Sequence, residues 1–238
     1  MKTFWLLYKS EAKLSIREMS SVIFGLFVPV GIVVLMAFME DSNTALNRIF
    51  ASVTTVGICS AGVMGLPLAL SSYRERKILK RYQVTPISPI QLLLAHLLFC
   101  FTLSLVSMLL IFALLTVAFD FHYQGSWSTF IPAYLLVMLS VHAIGLIIAS
   151  LSPSEKATGA INSAVFFPMF FLSGATVPFE ILPKGLQKIA SVLPLTQGIK
   201  LLKAITFQEQ AQIPAIVVLL MLITLVGTAI AFKFFKWE

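Results

Sequence analysis

Residues 82–119, YQVTPISPIQLLLAHLLFCFTLSLVSMLLIFALLTVAF, run for 38 positions without an Asp, Glu, Lys or Arg. An α-helix rises about 1.5 Å per residue, so about 20 residues cross the roughly 30 Å hydrocarbon core of a bilayer. A run this long and this apolar suits lipid, which asks for no polar exterior. Five more charge-free runs lie on either side, at 19–39, 49–73, 121–154, 157–179 and 210–232. Two of the six exceed one crossing, and their excess is expected in tilted ends or turns, for instance around Gly125–Ser126. Trimmed accordingly, the spans are expected at 19–39, 49–73, 88–119, 130–152, 154–178 and 210–232, in one all-α polytopic membrane domain over 1–238 with six transmembrane helices.

Composition agrees. Of 238 residues 58% are hydrophobic and 11% charged, against roughly 25% charged in a soluble domain. No separate soluble domain fits in what remains. The net charge is +7, held in short clusters between apolar runs. That pattern suits anionic headgroups and the positive-inside rule. No basic and aromatic groove argues for nucleic acid. Cys59 and Cys100 fall inside apolar runs without metal-ligand spacing and read as small core residues. Residues 1–18 interleave Lys2, Lys9, Lys13 and Arg17 with acids, and no small-residue cleavage site follows, which reads against a cleavable signal.

Lysine and arginine set the orientation. With the N-terminus inside, the inner segments hold twelve: Lys2, Lys9, Lys13, Arg17, Arg74, Arg76, Lys77, Lys80, Arg81, Lys156, Lys233 and Lys236. The outer segments hold five: Arg48, Lys184, Lys188, Lys200 and Lys203. Both termini are therefore expected in the cytoplasm. A cytosolic 180–209 loop, with five or seven spans, is the alternative raised by its four lysines.

Two amphipathic regions frame the spans. Over 2–18, Lys2, Lys9 and Lys13 share one helical face, and Phe4, Leu7, Tyr8 and Leu14 lie opposite, interrupted by Glu11. This suits a helix on the inner leaflet. Over 180–209, Leu186, Ile189, Ala190 and Leu193, and then Ile199, Leu202 and Ile205, predict two short outer helices in or dipping into the interface. Ser88-Pro89-Ile90-Gln91 and Ser152-Pro153-Ser154-Glu155 read as capping boxes that open the third and fifth spans.

Catalytic motifs are missing. No G-x-x-x-x-G-K-[ST] occurs, and no glycine precedes a lysine, so the chain has no P-loop. There is no H-E-x-x-H, and Ser173-Gly174 lacks the preceding glycine of an intramembrane serine nucleophile motif. His96 and His142 are the ionisable groups well within spans, and such groups are functional candidates. A neutral histidine bonded to a neighbouring helix is the weightier reading, because it is cheap to bury when paired; no span supplies an acid for a proton relay.

The segment from Ser71 to Gln91 carries the most information. Arg74-Glu75-Arg76-Lys77, Lys80 and Arg81 are interleaved with Ile78, Leu79, Tyr82 and Val84, and Thr85-Pro86-Ile87-Ser88-Pro89 follows. A membrane anchor needs only the charge. An apolar face with basic shoulders suits docking on another protein.

These residues resemble the ABC-2 type transporter permease family, the membrane subunits of type V ABC exporters. The basic run with its glutamate, followed by Thr85-Pro86-Ile87-Ser88, matches that family's pattern between its second and third spans. Phe171-Leu172-Ser173-Gly174, Pro178 and Leu182-Pro183 resemble the close of its fifth span, and Leu193-Pro194-Leu195-Thr196 the turn after it. Lys77-Ile78-Leu79-Lys80 departs from the family, where many members carry glycine and threonine.

The resemblance implies a transport subunit, not an enzyme. It would pair with a second permease, identical or homologous, and with two copies of a separate P-loop ATPase that bind ATP and Mg. No cofactor would bind this chain directly. It further implies a coupling helix over 74–86 that docks on the ATPase through Arg74, Glu75, Arg76, Lys77, Lys80, Arg81, Thr85 and Pro86. Residues 2–18 would lie beside it, and the turn at 152–156 would add a smaller contact. A substrate path near the second and fifth spans would fall on Thr54, Thr55, Cys59, Met64, Asn162, Phe166, Phe167, Met169 and Phe170. Phenylalanines packing on lipid or each other are the plainer reading of those rings. Pro67 and Pro168 are expected to loosen the two spans.

The expected function is ATP-driven export of an apolar or amphipathic compound (a drug, antimicrobial peptide or lipid) across a bacterial plasma membrane, as in multidrug efflux. An ion-coupled carrier would want acids in the spans. A membrane enzyme would want a polar cluster, and a non-transporting anchor in a sensory or immunity complex is the third alternative.

Overall fold

The computed structural model describes residues 2–18, 22–78, 89–177, 179–209 and 213–234, and every regular element among them is helical. The helices are α1 (Lys2–Glu18), α2 (Ile23–Ala37), α3 (Asn43–Glu75), α4 (Pro89–Phe119), α5 (Trp127–Leu151) and α6 (Glu155–Leu172), followed by α7 (Lys184–Ala190), α8 (Pro194–Thr206) and α9 (Ile213–Phe234). Four of them, α3, α4, α5 and α9, are long and apolar enough to cross a membrane. Helix α2 is apolar but shorter, and α6 has 18 residues and opens on Glu155 and Lys156. The all-helical membrane fold expected from the runs is present, with four crossings supported by length and composition.

Helix boundaries differ from the charge-free runs for local reasons. Helix α3 begins at Asn43, six residues before the run, because the Ser42 side chain caps it by accepting from the Ala45 N–H at 3.2 Å. Ser154, rather than Ser152, caps α6, accepting from Ala157 N–H at 3.2 Å, while Ser152 closes α5. Helix α6 ends at Leu172, before Gly174 turns the chain with φ +92°. Helix α4 is described from Pro89, and the expected cap Ser88 lies outside the described residues.

Two prolines are accommodated by widened turns. A π-helical turn at Ile23–Phe27 precedes Pro29, and another at Ser60–Gly65 precedes Pro67. A proline ring collides with the carbonyl four residues back in a regular α-helix. Widening that turn removes the collision while both helices continue.

Small residues decide how closely the helices approach. A Cβ on Gly145 of α5 would collide with the backbone carbonyl of Gly62, so α3 and α5 cross in backbone contact. Helix α5 also packs along α9, where Gly227 faces Ala143. Helix α8 goes further than an interfacial helix: Leu195, Ile199, Leu201 and Leu202 are buried against α3, α5 and α9. Leu186 and Ile189 of α7 stay exposed, as an interfacial position would leave them. The core near this end is aromatic. Phe50 is fully buried, with the rings of Phe112, Phe121, Tyr123, Trp127 and Phe130 centred 5.4–6.1 Å away.

Candidate functional site

Polar side chains gather where α1, the end of α3, the start of α4 and the α5–α6 turn meet. Helix α1 turns Leu7, Glu11 and Ser15 inward, each four residues after the last, and all three are buried. Trp5, Leu6, Lys9, Lys13, Leu14 and Ile16 remain exposed. Leu14 therefore lies on the outward face, and the buried stripe is centred on Glu11. The Glu11 Oε2 accepts the Tyr73 hydroxyl at 2.5 Å, and His96 Nδ1 lies 2.8 Å from the same oxygen. Cys100 Sγ is 3.7 Å from His96 Nε2. Tyr8 donates to Thr102 Oγ1 at 3.0 Å, which seats α1 on α4 a second time.

His96 thus has an acidic partner, and it comes from the amphipathic helix rather than from a span. The signal in the sequence is Glu11 itself, a carboxylate in the middle of an apolar face. His142 is buried, but it differs from the plainer reading in bonding to its own helix rather than to a neighbouring one. Its Nδ1 is 2.8 Å from the Met138 carbonyl of its own helix, and Phe101 packs edge-on at 4.7 Å.

The expected docking residues divide into two kinds. Arg74 donates from Nη1 to the Ser152 carbonyl at 2.8 Å and from Nη2 to the Ala149 carbonyl at 2.9 Å. Cationic donors belong at such a helix C-terminus, where carbonyls lack helical partners. Glu75 Oε2 accepts the Glu155 N–H at 2.8 Å, at the N-terminus of α6. These two neighbours in sequence fasten α3 to the end of one helix and the start of the next. Arg76 and Lys77 are exposed, and Lys77 has φ +55°. Lys80, Arg81, Thr85 and Pro86 lie outside the described residues, as does Pro178.

The expected substrate-path residues lie on α3 and α6, and one hydrogen bond joins the two sets. Thr54 and Thr55 are buried, and their hydroxyls donate within α3, to the Phe50 and Ser52 carbonyls at 2.8 and 2.6 Å. Cys59 is buried with a free thiol. Asn162 is buried and its Nδ2 donates to the Met64 carbonyl at 3.1 Å, in the widened turn of α3. That contact brings Met64 and Asn162 together. Phe166 is buried and stacks on Phe170 at 5.5 Å, while Phe167 stands half exposed. Met169 is buried. An apolar groove of about 460 Å³ opens elsewhere, between Leu26, Phe27 and Val30 of α2 and Leu110, Leu114 and Val117 of α4.

At the opposite end, Asn43 and Asn47 of α3 hold the 120–124 loop. Both donate to the His122 carbonyl, at 2.9 and 3.0 Å, and accept from the His122 and Gln124 N–H groups. Burial there raises the Tyr123 hydroxyl above its ordinary range, although its contact with Thr206 acts the other way. Among the described residues, no three His, Cys, Asp or Glu side chains gather around a possible metal position.

A bundle of long apolar helices, with its polar contacts drawn together at helix ends, defines a polytopic membrane protein. The chain belongs to the ABC-2 transporter family: the family profile described as ABC-2 family transporter protein matches residues 29–233. It is 25% identical over 141 residues to the inner membrane transport permease YhhJ of Escherichia coli K12, covering 59% of this chain and 38% of that protein. It is 34% identical over 73 residues to nodulation protein J of Rhizobium leguminosarum bv. viciae, covering 31% of this chain and 28% of the relative. The chain thus matches about a third of the length of these relatives. Family and fold together make it a multi-pass membrane protein of the ABC-2 transporter family.

Proposed function

We propose that this chain is the membrane-spanning permease of an ATP-binding cassette exporter for an apolar or amphipathic compound, driven by a separate ATPase. The observation that carries the reading is the double fastening at Arg74 and Glu75. A force applied at the exposed Arg76–Lys77 corner reaches α3 directly and reaches α5 and α6 through side-chain bonds one and two residues away. A permease moved from outside by an ATPase needs such a joint. In this reading that end of the bundle is cytosolic, α2 and α6 complete six crossings, and two permeases enclose the path. The contact between Met64 and Asn162, with Phe166, Phe167 and Phe170 beside it, supplies an adaptable apolar surface. The loops at the other end are short, which favours small or lipid-like cargo.

The test is purification of the tagged chain from native membranes in mild detergent. A stoichiometric P-loop ATPase is expected with it. Reversing charge with R76E and K80E together should release the ATPase and abolish export, with the chain still in the membrane. Absence of any ATPase across several gentle detergents overturns the reading.

A further inference from the structure

A carboxylate buried in an amphipathic helix has to be matched where it lands. Glu11 is 5% exposed and His96 2% exposed. With one proton shared between Glu11 Oε2 and His96 Nδ1, the pair is net neutral wherever the proton rests. It is either a carboxylate facing an imidazolium or an acid facing an imidazole. Either form can be buried, whereas a lone buried charge of either sign is costly. The Tyr73 hydroxyl donates to the same oxygen and carries the link to α3. Leu7, Leu92, Phe99 and Leu146 belong to one buried apolar cluster, and the Phe99 ring is centred 6.3 Å from that of His96. The other titratable groups toward it among the described residues are Tyr8 on α1, Tyr73 on α3, Cys100 on α4 and His142 on α5. Glu11 is the one acid in this set.

We propose that Glu11 is a positioning residue whose one-proton pairing with His96, gripped by Tyr73, clamps α1 onto α3 and α4, so that the amphipathic helix and these two helices move as one body during transport. The part concerning transport rests on the exporter reading above; the clamp itself does not.

Charge logic sets the test apart from simple packing. In E11Q the imidazole keeps a neutral partner but loses its counter-charge, so acid should bury a lone cation and weaken the clamp. In H96Q the carboxylate loses its cation, so the clamp should be weak at neutral and alkaline pH. It should strengthen in acid, where the cost of burying an unpaired charge is relieved. E11Q/H96Q has no charge to bury and should respond to pH in neither direction.

Hydrogen exchange of the α1 amides reads the clamp directly, on the full chain in lipid nanodiscs at pH 5.5 and pH 8, each variant referred to wild type at the same pH. E11Q should exchange at least ~10-fold faster than wild type at the lower pH and near wild type at the higher, and H96Q should be faster at the higher pH, on the scale of a broken buried pair. The double variant should differ from wild type by a similar factor at both. Equal acceleration of both single variants at both pH values reduces the contact to packing and overturns the shared proton. No acceleration in any variant overturns the clamp. Retention of the ATPase by the same variants reports on the exporter reading separately.

Discussion

Arg74 Nη1 lies 2.8 Å from the carbonyl oxygen of Ser152, so the last turn of α3 holds the last residues of α5. Its second nitrogen reaches Ala149. One guanidinium therefore satisfies two carbonyls that a helix end leaves without partners.

Removing that side chain should loosen the joint. R74A is expected to cost about 1–2 kcal/mol, the scale of a cation at a partly buried helix C-terminus. R74K should recover only part, because an ammonium is a point donor and cannot span two carbonyls as the planar fork does. Thermal unfolding of the purified chain in one detergent checks both, and equal melting of R74A and wild type would remove the joint from consideration.

The backbone crossing of α3 and α5 predicts a contrast between two glycines. G145A drives a methyl into the Gly62 carbonyl and should destabilise by about 1–3 kcal/mol, the range of overpacked cores. G159A, on α6, meets nothing within 4 Å. It should be neutral or stabilising by up to about 1 kcal/mol, from helix propensity alone. Parallel melting curves decide it.

Lys77 occupies left-handed backbone, where a side chain costs about 1–2 kcal/mol. Glycine adopts this conformation without the side-chain cost, and K77G should raise stability by about 1 kcal/mol. The gain in melting temperature is expected even though the substitution removes a basic group from the corner assigned to the ATPase. A fall in stability would mean that the lysine side chain holds the turn.

Asn162 makes one weak link to α3, and hydrogen bonds between membrane helices average only about 0.6 kcal/mol. N162L should therefore change stability by less than about 1 kcal/mol. If the α3–α6 face meets cargo, the same substitution should alter which amphipathic compounds the assembled exporter removes, read as a changed growth-inhibition panel. A large loss of stability with an unchanged panel would make Asn162 a packing residue.

Much of the architecture was legible because its causes are local. A charge-free run long enough to cross a bilayer forms a helix whatever its neighbours are, since lipid leaves the backbone no other way to satisfy its hydrogen bonds. Helices α3, α4, α5 and α9 follow from that alone. The short helices α7 and α8 were visible in their three- and four-residue spacing. How deeply α8 sinks among α3, α5 and α9 was not, because burial depends on what those helices offer. The capping box placed the cap at Ser152, but the cap is Ser154, because its hydroxyl is the one that reaches the Ala157 N–H.

The candidate site was legible in composition and hidden in its pairing. The basic run at 74–77 could be read as a docking segment from its charges and interleaved apolar residues. That Arg74 and Glu75 bond to the α5–α6 turn could not, since their partners are backbone groups some eighty residues away. Glu11 looked like an interruption of an apolar face, and His96 like an isolated histidine.

The sequence by itself determined that this chain lives in a membrane, where its long helices run and which family it joins, because those properties depend on runs and spacings along one strand of residues. Only the tertiary structure decided that Glu11 meets His96, that Gly145 lies against Gly62 and that α1 is bonded to the bundle. Such pairings depend on the rotation and approach of whole helices, and the pattern along a single helix does not fix its angle relative to another.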